Sequence, residues 1–161
     1  MKRISVLLIG LALSSSAFAV KMGYVNSQEL FSKYSQTKII QENLNKEKSR
    51  LENELKQKEI SLQKMQVELQ GKGAAATEQE KKSFQAKVDE FQKLVRDSQT
   101  KLNKEEMTRL QEVERLINTA VQNVAKTDKY DYVLEQGAVK YGGENITEKV
   151  LQVMEKTKKI K

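Results

Sequence analysis

Apolar residues follow two rhythms along this chain. From Gln28 to Gln70, Leu44, Leu51, Leu55, Leu62, Met65 and Leu69 recur at steps built from threes and fours, the spacing that lines up side chains on one face of an α-helix. Read as heptads, Leu44, Leu51, Lys58 and Met65 form one seam line and Lys48, Leu55, Leu62 and Leu69 the other. Two lysines interrupt that seam, and their aliphatic stems can lie along a loose packing surface while the ammonium stays wet. From Glu78 to Lys126 a second run carries Phe84, Val88, Phe91, Val95, Leu102, Leu110, Val113, Ile117, Ala120 and Val124, with a slip between Leu102 and Leu110 that locally relaxes supercoiling. At about 1.5 Å per residue the two predicted helices are roughly 65 and 73 Å long.

Between them lies GKGAAAT, Gly71 to Thr77. Glycine terminates helices, and Thr77 with Glu80 has the T-x-x-E spacing of a capping box that starts a new one. The reading is a turn near 71–77 between antiparallel helices of similar length. The alternative is a continuous rod with a soft centre, because the three alanines on their own favour helix.

The second rhythm is short and rich in Val and Tyr. Val20 to Asn26 alternates Val20, Met22 and Tyr24 on one face, and Tyr130 to Gly143 supplies two further runs separated by Gly137; these read as three strands. Asn26 with Glu29 and Asn145 with Glu148 match capping boxes, the second opening a last amphipathic helix. The expected class is mainly α with a small β part (α+β), in which a long helical hairpin projects from a small β-rich body. Residues 20–27 and 127–161 would make the body and 28–126 the projecting arm. Three short strands with open edges are marginal alone, so the body should pair with further copies of the chain. Met22, Tyr24, Val133 and Leu134 are the interface candidates.

The N-terminus adds an address. Lys2 and Arg3 precede an apolar run from Ile4 to Leu13, and Ala17-Phe18-Ala19 follows, the pattern of a secretory signal peptide cleaved between Ala19 and Val20. A membrane anchor is the competing reading, but about ten apolar residues fall well short of the roughly twenty that span a bilayer. Residues 1–19 would be lost and the product would be periplasmic or secreted, with 142 of the 161 residues kept and the formal charge falling from +7 to +5.

Composition removes much chemistry. The chain has no His and no Cys, so Cys/His zinc sites, thiol nucleophiles and His general bases are excluded. No G-x-S-x-G elbow or phosphate-cradling glycine loop occurs; no enzyme and no cofactor are expected. Charged residues make up 32% of the chain and aromatic ones 6%, too little apolar area for a broad core and in keeping with an elongated shape or a core shared between subunits. From Lys38 to Lys129 there are 19 basic and 16 acidic residues; this mixed sign is not the basic stripe of a specific nucleic-acid binder.

The residues KMGYVNSQELF after the signal peptide, and the terminal block YDYVLEQGAVKYGGENITEKVLQVMEK, resemble the Skp/OmpH family of periplasmic chaperones for outer-membrane proteins. The resemblance rests on the GYVN strand leading into a helix and on YDYVL followed by the NIT helix start; the hairpin matches in length and character. It implies a homotrimer whose helical tentacles enclose unfolded outer-membrane proteins without ATP. Some members of that family carry a basic cluster proposed to contact anionic lipid or lipopolysaccharide; no block of this chain matches it residue by residue, and the site is not carried over. Client-contact candidates near the tip are Met65, Lys72, Lys81, Lys82 and Phe84, with Phe91 further down. The plainer assignments are helix–helix packing for Met65, Phe84 and Phe91, and a solvated face for the lysines. A structural coiled-coil adaptor of the cell envelope, binding one folded partner, is the alternative function.

Overall fold

The computed structural model describes residues 20–157; the predicted signal peptide and its cleavage point after Ala19 lie outside, or at the edge of, that range. The fold is mainly helical. Strand β1 (Met22–Val25) leads into helix α1 (Ser27–Lys33), then α2 (Ser35–Lys72), a 3₁₀ turn, α3 (Glu78–Asp128), β2 (Tyr132–Glu135), a second 3₁₀ turn, β3 (Glu144–Asn145) and α4 (Thr147–Lys156).

The first long helix is split where the sequence suggests continuity. Tyr34 takes an extended backbone (φ −63, ψ 122) between α1 and α2. Its ring is buried at 2% exposure in the main core, and turning it inward bends the chain out of helix. Asn26 caps α1, its side chain accepting from the Glu29 N–H at 2.9 Å. The reciprocal half of that capping box goes elsewhere: the Asn26 N–H donates to Thr147 Oγ1 at 3.1 Å, and the Glu29 carboxylate pairs with Lys33 at 2.8 Å.

At the far end α2 runs through Gly71 and stops at Lys72, with Gly73 in a positive-φ conformation (φ 50) that a side chain rarely adopts. Thr77 and Glu80 form the full capping box: Glu80 N–H to Thr77 Oγ1 at 3.2 Å, and Thr77 N–H to Glu80 Oε2 at 2.9 Å. The two long helices, 38 and 51 residues and so roughly 57 and 77 Å, pack side by side. Lys101 reaches Glu47 at 2.7 Å and Lys58 reaches Glu90 at 3.0 Å, so an advance along α2 is matched by an equal retreat along α3. The helices are antiparallel.

The seam of α3 departs from the predicted set. Val95 and Leu110 are 41% and 47% exposed, whereas Leu94 is half-buried and Ser98 buried. From Phe91 the step of three to Leu94, then four to Ser98 and four to Leu102, keeps to the inner face, and Val95 lies one residue around it. Leu51, 5% exposed, is level with Asp97 and Ser98 in this register, where a small side chain leaves room for it. On α2 the lysines break the seam as expected: Lys48 and Lys58 are exposed.

The sheet has the order β2-β1-β3 with both pairings parallel: Met22 opposite Tyr132 through Val25 opposite Glu135, and Gly23 and Tyr24 opposite Glu144 and Asn145. The predicted third strand, Ala138 to Gly143, does not form. Gly142 and Gly143 take φ of 79 and 84, a reversal that brings Glu144–Asn145 to the edge of β1 instead. The Asn145–Glu148 capping box is also absent. Asn145 Oδ1 accepts from the Thr147 N–H at 3.0 Å, while Glu148 is drawn away to Lys33 at 2.8 Å; fully buried Ile146 stands at the cap.

The core sits where all these segments meet. The last turns of α3 contribute Val113, Ile117, Ala120 and Val124, α4 contributes Val150 and Met154, and Leu30, Val25 and Ile146 close it. It brings residues from Val25 to Tyr34 together with residues from Val113 to Met154.

Candidate functional site

Two surfaces carry unpartnered chemistry. The first is the outer face of the sheet. Strand alternation turns Gly23 and Val25 inward and leaves Met22 40%, Tyr132 62% and Leu134 37% exposed, with Tyr24 half-buried beside them. Tyr141, 99% exposed, stands on the connection between β2 and β3. Of the four interface candidates, Met22, Tyr24 and Leu134 share this face. Val133 does not: it packs against the core of its own chain.

The second surface is the antiparallel helix pair. At its end Met65, Glu68, Leu69, Lys72, Glu80 and Ser83 line a shallow hollow of about 170 Å³. Lys72 is ion-paired with Glu80 across the turn. The Lys72 ammonium, followed by the Thr77 N–H and hydroxyl, holds the Glu80 carboxyl down at about 2, and Glu80 in turn raises Lys72. Lys81 pairs with Glu78 at 2.8 Å. Lys82 is exposed and makes no ion pair among the described residues. Phe84 and Phe91 are half-buried in the seam. Met65 is half-buried and also faces the hollow. The site candidates thus gather loosely at one end, with two of the three lysines already paired.

Exposed apolar residues missed by sequence reasoning lie on the outer face of α2: Ile39 and Ile60 at 43% and Val67 at 67%. Ile60 and Val67 each stand two residues beyond a seam position, Lys58 and Met65, and so on the side away from α3. That signal was present in the sequence. On this face from Ser49 to Gln70, at the heptad positions of Ser49, Asn53, Lys56, Ile60, Gln63, Val67 and Gln70, there is no carboxylate.

In the body, Lys149 donates to Asp128 and Glu144 at 2.9 Å each and approaches the Tyr130 hydroxyl at 3.4 Å, which raises its pKa. Burial, then Glu144, raises Tyr130, and Lys21 sits 4.1 Å over the Tyr130 ring. This cluster ties the residue before β1, the end of α3, β3 and α4 together. Among the described residues no three or more acidic side chains converge as a metal site, and no helix is long and apolar enough to cross a membrane.

The architecture is a small α/β body bearing a long antiparallel helix pair, with exposed apolar residues on each. The sequence profile of the family described as "Outer membrane protein (OmpH-like)" matches residues 21–154, and the chain belongs to that OmpH/Skp family. It is 30% identical over 158 aligned positions to the proteins named "Chaperone protein Skp" of Photorhabdus luminescens and Photorhabdus laumondii subsp. laumondii, covering 89% of this chain and 92% of each of those. Its fold is similar to the crystal structure of an OmpH-like outer membrane chaperone from Caulobacter crescentus CB15, with a TM-score of 0.73, 20% identity and 85% of both chains covered. Family membership makes the protein non-enzymatic.

Proposed function

We propose that this protein is an ATP-independent holdase that binds unfolded outer-membrane proteins in the periplasm and keeps them from aggregating before insertion. Membership of the OmpH/Skp family supports the chaperone role and the periplasmic setting. The observation that carries the client class is the surface of the helix pair, where isolated apolar side chains such as Ile60 and Val67 stand exposed among lysines and neutral polar groups. An unfolded β-barrel chain presents apolar residues separated by polar ones, so it can be held by many weak contacts of this kind and let go without fuel.

In this proposal the helix pair is a tentacle and the body joins copies of the chain, three by the resemblance, through the outer sheet face. Leu134→Asp would bury an unpaired carboxylate in that contact, which is destabilising by several kcal/mol. Sedimentation should show it dissociated with its helix content kept; a full-mass oligomer would take this face out of the interface. Val133→Asp is the poorer probe, because Val133 supports its own core.

The decisive comparison for function is light scattering of a urea-diluted outer-membrane protein with and without the chaperone, beside binding of the same protein once folded. Suppressed aggregation together with weak binding of the folded form is expected. Preference for the folded form would favour the adaptor function.

A further inference from the structure

The joint at Tyr34 joins a long helix to the body by a contact that helix does not itself supply. Helix α2 begins at Ser35 with no side-chain cap from its own N-cap residue, Tyr34. Both the Ser35 N–H and its hydroxyl donate instead to Glu155 of α4, at 2.8 Å to Oε1 and 2.6 Å to Oε2. The same device starts α1, where the Ser27 N–H and hydroxyl donate to the two carboxylate oxygens of Glu135 at 2.9 and 2.7 Å. The two are not equivalent. Helix α1 has its own Asn26 cap, whereas Glu155 alone meets the first N–H of α2.

Two further features mark the same place. Of the buried side-chain polar atoms lacking a partner among the described residues, the Tyr34 hydroxyl and Thr37 Oγ1 both lie here, and orphaned hydroxyls make the closed arrangement costly. Above the joint Gln36 is buried and Ile40 packs against the core, but from Gln41 to Lys48 the seam is loosely filled: Gln41, Asn45, Gln99 and Asn103 are among the residues around a hollow of about 310 Å³ between α2 and α3. Tight packing resumes at Leu51. Helix α3, by contrast, runs unbroken into the core through Val113, Ile117, Ala120 and Val124.

We propose that Glu155 is a latch: it holds the base of α2 on the body, and its release frees the segment from Ser35 to Lys48 to swing at Tyr34 while α3 stays anchored. A free N-terminal turn can reach water through its orphaned hydroxyls, and the polar hollow gives the segment room to shift. If the helix pair is the client-holding arm proposed above, the latch sets how widely that arm opens; the joint itself rests on no client.

The test uses the whole protein without client. In Glu155→Ala, hydrogen exchange of the first-turn amides of α2 should accelerate on the order of tenfold, the effect of losing an N-cap, while α3 from Val113 to Val124 and the start of α1 keep their protection. Glu135→Ala is the control and should loosen α1 alone. Since the chain has no cysteine, spin labels on Lys38→Cys and Gln152→Cys report the motion directly, and their distance distribution should broaden in Glu155→Ala and narrow again in Glu155→Gln, which keeps one acceptor. Unchanged exchange and distances in Glu155→Ala would overturn the latch. So would equal acceleration throughout the body, which would make Glu155 a general stabiliser. Because no client is present, failure of the holdase reading would leave this result standing, and the reverse.

Discussion

Replacing Ile146 with alanine should weaken the body and spare the outer part of the helix pair. Ile146 is fully buried, its N–H donates to the Tyr24 carbonyl at 2.9 Å, and its own carbonyl accepts from Val150 at 3.0 Å. Alanine keeps both backbone bonds, so the loss is one of packing. Three carbons leave the core: at roughly 0.8 kcal/mol each the transfer cost is about 2.4 kcal/mol, and an incompletely collapsed cavity brings it to about 3–4 kcal/mol. The surroundings have little freedom to collapse, since a Cβ placed on Gly23 would already meet Ile146 Cγ2 at 3.4 Å and the Tyr130 ring at 3.3 Å. Urea unfolding followed by circular dichroism should move the midpoint of the body transition down by roughly 1.5–2 M, taking a slope of about 2 kcal/mol per molar. Segment-resolved hydrogen exchange should show faster exchange in α4 and the strands, and unchanged rates from Phe84 to Ser98. A loss below about 1 kcal/mol would refute the packing argument. Equal acceleration from Phe84 to Ser98 would refute the separation of body and helix pair.

At the opposite end, Thr77→Ala removes the hydroxyl that accepts from Glu80 at 3.2 Å and should cost about 1 kcal/mol of local helix stability; faster exchange of the Glu80 and Lys81 amides, with the body transition unmoved, is the expected readout. Acid should loosen the helix pair. Glu47, held down at about 2 by Arg50 and then Lys101, and Glu80, held at about 2 mainly by Lys72, both start from an ordinary value of 4.5. Their contribution is complete above about 4.5 and is lost as pH falls toward 2. Exchange-corrected protection across α2 and α3 should therefore decline over that window, and Glu47→Gln should flatten its α2 part; a decline of the same size in Glu47→Gln would assign the effect to other groups.

The sequence by itself determined the elements that depend on neighbours a few residues away. The three-four rhythm from Leu44 to Leu69, the Thr77–Glu80 box and the glycines at the turn are local rules of helix geometry, and both long helices and their reversal were legible from them. So was the short β1, from its alternation. Local spacing also gave the family-bearing segments at the two ends of the chain.

Only the tertiary structure decided what competes over long range. Asn26 and Glu148 both have local capping partners in the sequence, yet the Asn26 N–H goes to Thr147 and Glu148 goes to Lys33, each more than one hundred residues away. Tyr34 breaks a helix that its neighbours favour, because burying its ring in the core outweighs one interrupted turn. The stretch from Ala138 to Gly143 has strand-like residues but no strand, since parallel pairing with β1 leaves its edge to Glu144 and Asn145. Val133 was grouped with Leu134 as interface, and the pleat places them on opposite faces, a distinction fixed by the register with β1. Spacing along a chain records which residues could share a face; the partners that claim each face come from segments that spacing cannot see.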